Sequence, residues 1–98
     1  MSSEIERQVR ALIASTLHVD EGIIRRDTNI VADLAADSLL VVALILAVEE
    51  AFQIDIYDED AAEILTVEQL IEYVAVALAM KEALVKRRLD GGKLVALR

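Results

Sequence analysis

No proline interrupts this 98-residue chain, and its glycines stand only at Gly22, Gly91 and Gly92. Those two residues punctuate tight turns, so their scarcity favours helices joined by polar loops. The chain is 56% hydrophobic but only 3% aromatic, so the core open to those helices is aliphatic. Its length suits one domain. It has no cysteine, which excludes disulfides, thiolate metal sites and a cysteine nucleophile. The start, MSSEIERQVR, is polar and charged, unlike a secretory signal. The longest apolar run, Leu39–Val48, has ten residues, against about 20 for a membrane-spanning helix. A soluble, cytoplasmic protein without an integral membrane segment is expected.

The net charge is -8, and it is unevenly spread. Residues 1–26 carry four charges of each sign. Between Asp27 and Met80 stand twelve acidic residues and no Lys or Arg. From Lys81 onward, six basic residues face two acidic ones. Such a body repels nucleic acid and attracts basic protein surfaces. Its basic end can fold back on the body or meet an anionic partner.

Hydrophobic spacing places the helices. A first runs from Ser3, with Glu6 completing a capping box, to Leu17–His18. Ile5, Val9, Leu12, Ile13 and Leu17 recur at helical intervals. The connection that follows reaches Ala36, longer than the roughly 15 residues that unstructured loops seldom exceed unless functional. Its Val19, Ile23, Ile24, Ile30, Val31 and Leu34 are expected to pack on the core. A second helix spans Ser38–Phe52, capped by Asp37. A short third helix is expected near Asp58–Ile64. Thr66 opens the last helix, with Gln69 as capping-box partner and Leu70, Val74, Ala77 and Leu78 as its buried stripe. That helix extends to Leu89, and DGGK, Asp90–Lys93, stops it. The division is thus a domain over 1–89 and a flexible tail over 90–98.

At about 100° per residue the second helix carries two apolar stripes. Val41, Leu44, Ile45, Val48 and Phe52 form one. Leu39, Val42 and Leu46 form the other, edged by Ala43, Glu49 and Glu50. One stripe can face a core. The other is left as a contact surface. Ser38, at the mouth of this helix, has no base to make it a nucleophile, since the sole histidine, His18, ends the first helix. It suits the role of an acceptor: free N–H groups and the helix dipole favour a phosphate ester there.

The segment DLAADSL, Asp33–Leu39, resembles the modification motif of acyl carrier proteins, D-L-G-x-D-S-L. The likeness continues through VEEAFQIDIYDEDAAEILTVEQLIEYV, Val48–Val74, where that family carries E-E-x-F-x-I-x-I, an acidic turn and T-V-x-x-x-[IV]-x-Y-[IV]. It covers roughly residues 5–76. The triplet DSL alone is a weak signal; followed at fixed distance by EE-F and TV-Y it is a strong one. The resemblance implies an all-α four-helix bundle with a short third helix, here with an extended C-terminal helix. It implies a non-catalytic carrier. Ser38, flanked by Asp37 and Leu39, would receive a 4'-phosphopantetheine arm from coenzyme A through a magnesium-dependent phosphopantetheinyl transferase. The arm's thiol would carry acyl chains as thioesters. The second helix would dock on acyl-loading and acyl-transferring enzymes of lipid or polyketide synthesis through Leu39, Leu40, Val42, Ala43, Leu46, Glu49 and Glu50.

Several positions depart from the family pattern. Ala35 replaces a common glycine, Leu40 and Ala43 replace frequent acidic residues, and Tyr57 replaces a frequent proline. Exposed ion pairs contribute only about 0–1 kcal/mol each but choose partners. Exchanging them for aliphatic surface points to a specialised carrier for a dedicated lipid, sphingolipid-like or polyketide pathway. The alternatives are a peptidyl or aminoacyl carrier, or an unmodified helical interaction domain. His18 reads as a helix-end residue, Asp58–Asp60 as the acidic first turn of a helix rather than a cation site, and Phe52 and Tyr73 as core anchors. No metal site is expected. The basic segment MKEALVKRRLDGGK reads as a solvated extension, or as an added partner, dimer or membrane-surface contact.

Overall fold

The computed structural model describes residues 3–91, with side chains over 4–87. Among them stand four α-helices and no strand: α1 (Ser3–Leu17), α2 (Ser38–Phe52), α3 (Asp58–Ala61) and α4 (Val67–Gly91). A single 3₁₀ turn, Glu21–Ile23, interrupts the first long connection. The all-α bundle expected from the sequence is therefore the observed fold.

The core is aliphatic. Val9 and Ile13 of α1, Leu44 and Val48 of α2, and Val67, Leu70, Ile71 and Val74 of α4 are almost wholly buried, with Phe52 closing one end. The connections contribute as well. Ile24, Ile30 and Leu34 are buried between α1 and α2, and Ile54 and Ile56 between α2 and α3. Ile23 and Val31, expected to pack inward, are exposed. Each is adjacent to a residue that does turn inward, Ile24 or Ile30.

The long connection is held by the start of α4. Val67 N–H donates to Thr28 O at 3.0 Å and Glu68 N–H to Arg26 O at 2.8 Å. Gln69 N–H donates to Thr66 Oγ1 at 3.2 Å, and Gln69 Oε1 accepts from Thr66 N–H at 3.0 Å, completing the expected capping box. The first N–H groups of α4, which have no partner inside the helix, are thus satisfied by the loop. Ile30 N–H donates to Leu65 O at 2.9 Å and extends the seam. Arg26 ties it to α1, with its guanidinium 2.8 Å from Glu6 and 3.7 Å from Glu68. Glu6 thus serves a tertiary ion pair; the capping box expected with Ser3 rests on a side chain outside those described.

Both α1 and α2 end in a left-handed residue that is not glycine, His18 at φ 59° and Gln53 at φ 56°. In each case the next N–H reaches back five residues, Val19 to Ala14 O at 3.1 Å and Ile54 to Glu49 O at 3.2 Å, the bond pattern of a Schellman ending. His18 ends α1 as expected. Helix α3 is shorter than the span Asp58–Ile64: Ala62 is still right-handed, but the bonds then tighten to three residues, Glu63 N–H on Asp60 O at 3.0 Å and Ile64 N–H on Ala61 O at 3.1 Å. At the other extreme, α4 runs through Asp90 and Gly91 and so crosses the boundary expected between 89 and 90. Residues 92–98, which hold the rest of the expected tail, lie outside the described residues.

Candidate functional site

Ser38 is the first residue of α2 and is exposed. Two sequence-local causes put it there. Asp37 adopts an extended backbone, and its Oδ1 accepts Leu40 N–H at 2.8 Å, the bond that starts a helix. Upstream, Asn29 organises a tight turn: its Oδ1 accepts Ala32 N–H at 2.8 Å and Val31 N–H at 3.1 Å, while Asp33 Oδ2 accepts Asn29 N–H at 2.8 Å. Leu34 and Ala36 are then buried on either side of Ala35. Ala35 itself is exposed and left-handed, at φ 56°. This is the position where the resembling family commonly has glycine, and the conformation is one that glycine adopts freely and alanine does not.

The capping carboxylate satisfies one N–H of the first turn. Those of Ser38 and Leu39 have no intrahelical acceptor, as at any helix start. Together with the dipole they make the vicinity of Ser38 Oγ favourable for a phosphodiester. No Lys or Arg lies in sequence between Asp27 and Met80, so α2 itself supplies only backbone groups to that stabilisation. No group of three or more His, Cys, Asp or Glu side chains among the described residues is placed to hold a metal ion. The residues present suit a prosthetic group attached covalently through a hydroxyl: an accessible oxygen, a rigid capped helix behind it and polar N–H groups beside it.

Beyond Ser38, α2 presents the stripe expected of it. Leu39 is 77% exposed, Val42 54% and Leu46 57%. Ala43 and Glu50 are also exposed. The opposite face sends Leu44, Val48 and Phe52 into the core, with Val41 and Ile45 half-buried beside them. Two residues assigned to the partner face are less exposed than the rest. Leu40 is half-buried and packs against the core, because it falls between the two stripes. Glu49 is half-buried, and its Oε2 accepts Ile56 N–H at 2.7 Å. It serves the connection that leads to α3 rather than standing free beside Glu50.

Exposed apolar residues also lie outside α2. Ile23 and Val31 belong to the preceding connection, and Leu65 and Tyr57 flank α3. A further stripe, Val76, Met80 and Leu84, runs along α4. Its i, i+4, i+8 spacing is legible in the sequence, but a core stripe has the same spacing. Tyr73 is half-buried and anchors α3: its hydroxyl donates to Asp60 Oδ2 at 2.8 Å. Desolvation, reinforced by the hydrogen bond to and charge of Asp60, pushes its pKa up to about 12.

Comparison with known proteins gives this geometry a context. A family profile described as "Phosphopantetheine attachment site" matches residues 7–74, more than half of the chain. A protein named "Acyl carrier protein" from Syntrophobacter fumaroxidans is 52% identical over 64 residues, which cover 65% of this chain and 79% of that one. A solution structure from Anaplasma phagocytophilum, provisionally assigned as an acyl carrier protein, superposes with a TM-score of 0.72 at 35% identity, over 78% of this chain and 90% of that one. No described helix is long and apolar enough to cross a membrane. The chain belongs to the acyl carrier protein family, whose members are non-catalytic carriers that bear a covalent 4'-phosphopantetheine and act with partner enzymes.

Proposed function

We propose that Ser38 is the attachment residue and that this chain is a specialised acyl carrier. The observation that carries the first part is the exposed serine hydroxyl at the Asp37-capped start of α2, directly before an exposed aliphatic stripe. In the transfer, Ser38 Oγ forms a bond to the phosphorus of the pantetheine phosphate. The pyrophosphate bond of coenzyme A breaks, the adenosine bisphosphate half leaves, and the hydroxyl proton passes to the transferase. Asp37 and Leu39 frame the oxygen without reacting. Once attached, the arm's thiol supplies thioester chemistry. The chain's own part is to hold the anchor rigidly and to present α2.

The second part rests on the character of that face. Leu39, Val42, Ala43 and Leu46 form an exposed surface of α2 without a charge, and Glu50 stands at its far end. Recognition there proceeds by burying apolar surface rather than by pairing carboxylates with basic residues. This supports service in a dedicated lipid, sphingolipid-like or polyketide pathway, with cytoplasmic loading and transfer enzymes.

Incubation of the full chain with coenzyme A and a broad-specificity phosphopantetheinyl transferase tests the anchor. Intact mass should rise by one phosphopantetheinyl group in the native chain and not in Ser38→Ala, with both showing the same helical circular dichroism. Modification of Ser38→Ala, or a native chain that folds and stays unmodified, overturns the assignment. Fatty acyl and aminoacyl donors then separate an acyl from an aminoacyl carrier. Complementation of a housekeeping fatty-acid carrier at comparable rates would overturn the specialised reading.

A further inference from the structure

The outer face of α4 beyond the bundle is apolar and uncovered. Met80 is 63% exposed and Leu84 61%, although both lie on a regular helix. With Tyr73, Val76 and Arg87 they form a seam along one helix face at intervals of 3, 4, 4 and 3 residues, symmetric about Met80. The seam is polar in opposite senses at its two ends. At the Tyr73 end, a depression of about 330 Å³ has Asp60, Glu63 and Glu72 among its lining residues, beside Tyr73, Ile64 and Val76. At the other end stand Lys86 and Arg87, both exposed.

We propose that a second copy of this chain covers this face, with the two α4 helices antiparallel and the two-fold axis passing at Met80. The register follows from spacing. Tyr73 and Arg87 each lie seven residues from Met80, about 10.5 Å along the helix axis. An antiparallel mate centred on Met80 therefore sets Arg87 of one copy at Tyr73 of the other, beside Asp60 and Glu72. The two-fold makes that contact twice. Leu84 of each copy then meets Val76 of the other, four residues on either side of the axis. A groove of about 700 Å³ along α4, lined in part by Tyr57, Ala77, Met80 and Val85, offers space for the mate's apolar side chains. A basic partner of another kind would answer the acidic end but leave Lys86 and Arg87 facing nothing of opposite sign. A second copy answers both ends at once, as an isologous contact must.

The pair leaves Ser38 distant from the seam's near edge. Lys81 Nζ donates to Gln53 O at 2.7 Å, which places the end of α2 against α4. Ser38 lies at the other end of α2, about 21 Å along the helix axis from Phe52. The seam spans few turns, so its area falls below the roughly 800 Å² per partner of a standard interface. Association should accordingly be reversible and concentration-dependent.

Sedimentation velocity of the full chain, from micromolar to millimolar concentration, tests this. The native chain should move from monomer to dimer, and raised salt should weaken the transition. Met80→Glu should remain monomeric. Arg87→Glu alone and Glu72→Arg alone each set like charges against each other and should weaken association at least tenfold. An equimolar mixture of those two variants should recover it, since each copy then offers the other an opposite charge at both ends. All three positions are exposed, so unchanged helical circular dichroism keeps a folding defect distinguishable. A native chain monomeric at every concentration, a dimer indifferent to Met80→Glu, or a mixture that fails to recover would overturn the proposal. So would a monomer that binds anionic vesicles through the same face.

Discussion

Glu49 Oε2 accepts the backbone N–H of Ile56 at 2.7 Å, so a carboxylate on α2 fastens the connection to α3. The same residue's carbonyl accepts Ile54 N–H at 3.2 Å. One residue thus holds both ends of a segment whose Ile54 and Ile56 side chains are buried. Its neighbour Glu50 is exposed, and no hydrogen bond of its side chain is seen.

That contrast separates two adjacent glutamates. Glu49→Ala removes an ionised acceptor from a half-buried N–H and should cost about 1–2 kcal/mol. Glu50→Ala should stay within about 0.5 kcal/mol, as surface changes do. Urea unfolding of the two variants checks the pair. Equal costs would show that the Glu49–Ile56 bond adds nothing net to stability.

Ala35 predicts a gain. Its left-handed backbone costs a non-glycine residue about 1–2 kcal/mol, whereas glycine there adds about 0.4–1 kcal/mol of unfolded-state entropy. Ala35→Gly should therefore raise stability by about 0.5–1 kcal/mol, seen as a higher thermal midpoint. A drop would mean that the methyl group packs usefully against the loop.

Tyr73 predicts a pH dependence with a definite sign. Its folded pKa lies at about 12, above the usual tyrosine value of 10.0. The neutral phenol is the form favoured by folding, so its contribution is complete below pH 10 and is lost as pH rises from there through 12. Tyr73→Phe should lower stability by about 0.5–1.5 kcal/mol at neutral pH, through the lost bond to Asp60. The gap between native chain and variant should close across that alkaline window. A gap constant up to pH 12 would remove the coupling to Asp60.

On α2, stability and transfer should separate. Leu44→Ala opens a cavity in the core and should cost about 2–5 kcal/mol. Leu39→Ala and Leu46→Ala should change stability by no more than about 0.5 kcal/mol. The latter two should slow loading or transfer with a cognate enzyme while the mass gain at Ser38 remains attainable. A large stability loss in Leu39→Ala would show that the stripe is covered within the fold.

The bounds of α2, its Asp37 cap, its inward face and the Thr66–Gln69 capping box were legible because each depends on residues within a few positions of one another. The serine and its motif were legible for the same reason. The roles of Glu6, Leu40 and Glu49 were not. Glu6 pairs with Arg26 across 20 residues, and Glu49 meets an N–H seven residues on, after the helix has ended. Helical periodicity says which side of a helix a residue occupies, but not what lies opposite it. The long first connection was likewise visible as a loop with apolar punctuation. Which of its residues turn inward was settled by the hydrogen bonds of Arg26, Thr28 and Ile30 to the segment that opens α4.

The sequence by itself determined an aliphatic helical bundle and a capped helix that begins on one serine, since propensity, caps and apolar period act locally along the chain. Only the tertiary structure decided which carboxylates are tied into the fold, which aliphatic residues stay in water, and how far α4 outruns its core. Those outcomes depend on distances between segments remote in sequence, and burial is a property of the packed whole.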